Sequence, residues 1–161
     1  MTTRLLPPSP PMLAAKATDT QIQKLFDTTG VLIGSPKLDG IRCTIQEGGA
    51  YSKSLKLIRN KHVQNTLSKN VPLEGLDGEL IVGSPTASDV YRTTTSNIMR
   101  ESGKPDFTFW VFDIMDVDYD GPYNYRQRLT ILLTQMKEWV NYPIELLETV
   151  DIENMNELHI Y

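Results

Sequence analysis

The sequence predicts an α+β fold of antiparallel sheets flanked by helices, and three observations carry that prediction. IRCTIQ, residues 41–46, alternates apolar and polar positions, the period of a strand with two different faces. FTFWVFDIM, residues 107–115, is dense in aromatic and β-branched residues, which suit a pleated, half-buried surface. Between Arg126 and Val140, Leu129, Leu132, Leu133, Met136, Trp139 and Val140 recur at helical spacing. Strands and helices are mixed without the strict alternation of a doubly wound sheet.

In chain order, residues 1–16 read as an irregular arm. Pro7, Pro8, Pro10 and Pro11 forbid a helix there. Thr18 with Gln21 makes a capping box that opens a short helix through Phe26, with Ile22, Leu25 and Phe26 on one side; Thr28-Thr29-Gly30 ends it. VLIGSP is a short strand stopped by Pro36. In the alternating strand, Ile41, Cys43 and Ile45 face one way, and Arg42, Thr44 and Gln46 the other. Residues 47–50 form a turn, and YSKSLKLI is its partner strand. Asn60–Ser68 forms a short helix with Val63 and Leu67 inward. LDGELIVG is a strand. Residues 86–102 are helical, anchored by Val90, Ile98 and Met99. The strand at 107–115 leads into a loop from Asp116 to Tyr123 and then the long helix. IELLETVDI is a last strand, and Asn154–Tyr161 a terminal helix.

The chain has 161 residues, 40% hydrophobic and 22% charged. That suits one domain, or a piece of a larger one, with enough apolar content for a core. No apolar run approaches the roughly 20 residues of a membrane span. The N-terminal MTTRLLPPSPPMLAAK is too proline-rich for a signal-peptide core. One cysteine excludes an internal disulfide framework and a cysteine-rich zinc site, so a reducing cytoplasm is the simplest setting. The net charge of −4 argues mildly against a self-sufficient nucleic-acid binder, although charge can segregate onto one face.

Chemistry concentrates in Lys37-Leu38-Asp39-Gly40-Ile41-Arg42. A proline-terminated strand delivers a lysine into a loop, an aspartate follows two residues later, and glycine lets the backbone turn. A lysine is nucleophilic only when neutral, and at an ordinary pKa of about 10.4 under ~1% is neutral at pH 7. A neighbouring cation such as Arg42, or a metal ion, would favour the free amine and bind phosphate oxygens. A bare pattern of this kind is equally the mark of a surface ion network.

Further segments narrow the choice. PKLDGIR, SKSLKLIRN, LDGELI, FTFWVFDIM and NYRQRL occur in that order. Together they resemble the successive motifs of the ATP-dependent DNA ligases, within the covalent nucleotidyltransferases that include RNA ligases and mRNA capping enzymes. The opening PPMLA is also similar to family N-termini, and the likeness runs from about Pro11 to Tyr161. The family usually has arginine where Lys53 stands.

The resemblance implies the DNA ligase/mRNA capping enzyme nucleotidyltransferase domain, ATP-grasp-like and here incomplete. It implies that Lys37 attacks the α-phosphorus of ATP and carries AMP as a phosphoramidate, and that Arg42 contacts the nucleotide or the nick. Ser35 and Pro36 would line the base pocket, Lys53 would contact phosphate, and Phe112 would stack on adenine. Glu79 would bind the ribose or a metal-bound water, and Asp39 would steer Lys37 or a hydrated Mg²⁺. Transfer of AMP to a 5′-phosphate would then seal nicked double-stranded DNA. Each residue has a plainer alternative. Phe107, Phe109 and Phe112 are candidate core aromatics, with the first two opposite the third. Glu79 is a candidate solvent-facing strand residue, and Asp77-Gly78 is a turn signal. Cys43 reads as inert core, and His62 and His159 as structural or exposed.

The family pattern continues with a glutamate-glycine motif, a paired-lysine motif and an OB-fold, and none is in this sequence. The expectation is therefore a single shortened adenylation domain, with residues 1–16 as arm and 17–161 as core. Its exposed sheet edges would be covered by a complementing chain or a second copy. Its setting would be the cytoplasm, that of a host if a phage encodes it. The rival readings are an RNA ligase or capping-type enzyme, a non-catalytic interaction protein on the same scaffold, and a calcium module. The last rests on Asp116-Val117-Asp118-Tyr119-Asp120-Gly121, the first half of an EF-hand loop, whose twelfth position is Gln127 rather than glutamate.

Overall fold

The computed structural model describes residues 8–68, 73–115 and 123–160. In chain order the elements are α1 (Asp19–Thr29), β1 (Leu32–Gly34), β2 (Ile41–Gln46), β3 (Gly49–Ser52), α2 (Lys61–Leu67), β4 (Leu76–Val82), α3 (Val90–Ile98), β5 (Phe107–Ile114), α4 (Tyr125–Gln135), β6 (Ile144–Leu146), β7 (Val150–Ile152) and α5 (Met155–Ile160). A 3-10 turn over Met136–Trp139 follows α4. The chain divides into two compact units, one of Met1–Pro11 with Leu38–Leu146, the other of Met12–Lys37 with Leu147–Tyr161.

The first unit is built on a five-stranded sheet in the order β3-β2-β4-β5-β6. Its pairs are antiparallel except β5 with β6, which is parallel. Alternation sorts the two faces as predicted. Cys43 and Ile45, Leu76 and Leu80, and Phe107, Phe109 and Val111 share one buried cluster with Val63 and Leu67 of α2, Ile98 of α3 and Leu132 of α4. Each such side chain, fully removed from water, contributes about 1.5–3 kcal/mol.

The opposite face is less open than the alternation suggests. Thr44 and Gln46 are buried. The Gln46 amide accepts from Ser9 N at 2.8 Å and donates to Ser9 O at 2.9 Å and to the Thr44 hydroxyl. Buried polar groups of this kind are tolerated because they are paired. The prolines leave Ser9 outside any helix or strand, so its backbone remains available to this glutamine.

The turn between β2 and β3 is narrower than predicted. Glu47 and Gly48 have φ of 49° and 67°, the two positive values that match the twist of a tight hairpin. The Glu74 carboxylate accepts from both of their backbone N–H groups. Gly49 and Ala50 already belong to β3, whereas the partner strand stops at Ser52 and only Leu57 returns to bridge Tyr51.

Asn60 ties two helices together. Its Oδ1 accepts from His62 N and Val63 N at 2.9 and 3.1 Å, capping α2. Its Nδ2 donates to Arg100 O at 3.0 Å, beyond the end of α3. In α3, Val90, Thr94 and Ile98 are buried and Met99 is exposed, so Thr94 replaces Met99 as an anchor. The Thr94 hydroxyl accepts from Val82 N, which accounts for a buried threonine. In α4 the predicted apolar stripe is only partly inward. Leu132 and the later Trp139 are buried, but Leu133, Met136 and Val140 are exposed. The tighter winding after Gln135 rotates the last turn away from the α-helical phase.

In the second unit, α1 opens on the Thr18–Gln21 capping box and closes at Gly30, whose φ is 76°. The helix runs three residues past Phe26, which is buried, while Leu25 is exposed. β1 pairs antiparallel with β7, Leu32 opposite Ile152 and Gly34 opposite Val150. The single strand predicted over residues 144–152 is thus two strands in two sheets. β6 lies beside β5, and β7 beside β1.

No helix among the described residues is long and apolar enough to cross a membrane. The loop predicted at Asp116–Tyr123, with its acidic run, lies outside the described residues except for Tyr123, as do residues 1–7 of the arm.

Candidate functional site

Ser35, Pro36 and Lys37 follow β1 at the end of a stretch of the second unit, and all three are exposed. Leu38 begins the long segment of the first unit, and Asp39 is exposed within it. Gly40 then comes against β4. A Cβ on it would lie 2.2 Å from Leu80 O and 3.0 Å from Glu79 Cγ, so only glycine fits. Its N–H donates to Glu79 Oε1 at 3.1 Å. Glu79 is therefore not a plain solvent-facing strand residue; it fastens the loop that carries Asp39. In the sheet it stands opposite Arg42 on one side and Trp110 on the other.

Arg42 meets Asp77 through two hydrogen bonds, Nε to Oδ1 at 2.6 Å and Nη2 to Oδ2 at 2.7 Å. Its guanidinium lies over the Phe112 ring, 4.4 Å from the centroid. Asp77 and Gly78, readable as a turn signal, lie inside β4. The register there shifts: Asp77 pairs with Asp113 and Gly78 with Val111, which leaves Phe112 as the extra residue of a β-bulge on β5. Bulges re-aim side chains. Gly78 makes this one possible, because a Cβ there would lie 2.3 Å from Trp110 O.

Two carboxylates thereby become neighbours, each with its own arginine. Asp113 accepts from Arg128 Nε at 2.6 Å and Nη2 at 3.0 Å. Burial pushes the Asp77 carboxyl above its usual range, against the lowering effect of Arg42, and the Asp113 charge adds to the rise. Asp113 in turn holds the Arg128 guanidinium more firmly protonated. Burial, with Asp77 and Glu79 adding, pushes the Cys43 thiol far above its ordinary range, as suits an inert core position.

Phe107 and Phe109 are core residues, and Phe112 is half-buried on the opposite side of β5. Lys53 lies in the exposed turn after β3, one residue past Ser52, which pairs with Cys43. The structure therefore assembles Arg42, Asp77, Glu79 and Phe112 around one part of the sheet. Asp113, Tyr125 and Arg128 join them without having been marked by the sequence reading. Their signal was in the sequence, since Tyr125 and Arg128 belong to the NYRQRL segment.

Among the described residues no cluster of three or more histidine, cysteine or carboxylate groups suits a metal. Asp39 and Glu79 offer oxygen donors alone. That fits Mg²⁺, which keeps several waters and takes one or two carboxylates with substrate phosphates.

No protein-family model matches the sequence, and no curated protein matches it by sequence. Solved structures do. The Chlorella virus DNA ligase-adenylate is 27% identical, covers 93% of this chain and 53% of its own, and superposes with a TM-score of 0.72. A Lig E DNA ligase, 19% identical, covers 81% and 48% with a TM-score of 0.64. The ATP-dependent DNA ligase of bacteriophage T7 in complex with ATP, 17% identical, covers 89% and 56% with a TM-score of 0.62. The chain spans about half the length of these three solved structures. The fold is that of the DNA ligase nucleotidyltransferase domain. More narrowly, the likeness to the solved DNA ligases extends over most of this chain's length.

Proposed function

We propose that the chain binds ATP and takes AMP onto Lys37, the first step of an ATP-dependent DNA ligase that repairs or joins nicked duplex DNA. The observation that carries this reading is the convergence of Arg42, Glu79 and Phe112, residues from three separate family-like segments, on one part of the sheet. Phe112 stacks on adenine. Glu79 binds the ribose while keeping the 38–40 loop in place. Arg42 and Lys53 face phosphate oxygens.

In the reaction the neutral Lys37 amine attacks the α-phosphorus, and its nitrogen releases a proton to solvent as the phosphoramidate forms. An N–P bond forms as the bond to the pyrophosphate oxygen breaks, and pyrophosphate leaves. Positioning and charge neutralisation dominate such in-line transfers. Asp39 and Glu79 would hold Mg²⁺, which supplies further neutralisation of phosphate charge when bound.

The test is incubation with α-labelled ATP and Mg²⁺. Covalent label on the wild-type chain, absent from a folded Lys37→Ala variant, is the expected result. A folded chain that takes no label with or without a complementing ligase fragment overturns the reading in favour of an interaction protein. Label from GTP in preference to ATP favours a capping-type enzyme.

A further inference from the structure

We propose that Tyr125 and Arg128, at the start of α4, are positioning residues for the Phe112 ring. Phe112 occupies the bulge of β5, where the ladder with β4 passes from Val111 to Asp113 without pairing it. A residue in that situation needs a restraint other than the sheet. The structure shows three. The Tyr125 hydroxyl donates to Phe112 O at 3.0 Å. Arg128 grips both carboxylate oxygens of the next residue, Asp113, and its Nη1 donates to Tyr123 O at 2.7 Å. From β2, Arg42 lies over the ring, 4.4 Å from its centroid.

The two α4 residues also support each other. The Arg128 guanidinium lies 5.5 Å from the centroid of the Tyr125 ring, within reach of a cation–π contact. Asn124 and Gln127 form a capping box at the start of this helix, so the first turn that presents Tyr125 and Arg128 is fixed from within. The arrangement holds the backbone at 112 and 113 from one helix and leaves the ring to meet a planar partner. Neither α4 residue needs to touch that partner.

This rests on the reading of Phe112 as the base-stacking residue, and the experiment separates the two. Binding of ATP and of inorganic tripolyphosphate, each with Mg²⁺, is measured by calorimetry on the full chain. The proteins are wild type, Phe112→Leu, Tyr125→Phe, Arg128→Lys, and the double variant Phe112→Leu with Tyr125→Phe. Tyr125→Phe deletes one oxygen and is the variant least able to disturb folding.

The expected result is that Tyr125→Phe weakens ATP binding by about two- to tenfold, the size of one hydrogen bond, and leaves tripolyphosphate unchanged. Arg128→Lys behaves alike, because lysine lacks the fork. In the Phe112→Leu background Tyr125→Phe has no additional effect. Tyr125→Phe binding ATP like wild type, while Phe112→Leu binds it more weakly, overturns the inference and spares the reading. Equal weakening toward ATP and tripolyphosphate also overturns it, because the role is then general to the fold. Phe112→Leu without effect on ATP, or a wild type that does not bind ATP, overturns the underlying reading.

Discussion

Arg42 and Asp77 are joined diagonally across the β2–β4 pair by two short, parallel hydrogen bonds of 2.6 and 2.7 Å. The partners differ in exposure, 24% for the arginine side chain and 3% for the aspartate. Removing the acceptor leaves a cation partly buried beside an aromatic ring. Asp77→Ala is therefore expected to cost about 2–3 kcal/mol of unfolding free energy. Asp77→Asn keeps one acceptor and should cost less. Urea denaturation of the three proteins checks the order, and an alanine variant as stable as wild type refutes it.

The same carboxylate gives a pH dependence with a definite sign. Burial raises the folded-state pKa of Asp77 above that of the unfolded chain. The folded protein therefore holds this proton when the unfolded chain has lost it. The contribution to stability is present below the ordinary carboxylate pKa of about 3.9 and is lost as pH rises through the folded value. Glu101 acts in the opposite sense, because Lys61 lowers its pKa. Asp77→Asn should abolish the first component and leave the second. The urea midpoint of wild type minus that of Asp77→Asn should fall between pH 4 and the point where titration is complete; a difference that rises with pH contradicts the assignment.

Asn60 is expected to be the most sensitive polar residue outside the site. Asn60→Ala removes a cap worth about 1 kcal/mol and strips a donor from the loop after α3, for a total of about 2–4 kcal/mol. Asn60→Ser restores the cap alone and should recover only part. Thermal melts distinguish the two contributions. Full recovery by serine would mean that the contact with Arg100 O carries no weight.

Much of the fold was legible because it is locally encoded. The alternation at 41–46, the aromatic run at 107–114, the Thr18–Gln21 capping box and the Val63/Leu67 spacing of α2 each depend on residues within one turn or one strand. What was not legible depends on distant partners. Gln46 is buried because Ser9 meets it from 37 residues away. Residues 144–152 look like one strand until β1 and β5 claim separate halves. The site divides in the same way. Arg42, Glu79 and Phe112 stand within recognisable segments. The Asp77–Asp113 adjacency appears only once the bulge sets the register, and with it the roles of Arg128 and Tyr125.

The surplus residue on β5 separates two obligations that strands usually combine. Phe109 and Val111 close the interior, and the ladder runs past position 112 instead of through it. A substitution there meets the Arg42 contact before it meets the ladder. If position 112 meets a flat ligand as proposed, one substitution there retunes the contact surface while the scaffold beneath keeps its shape.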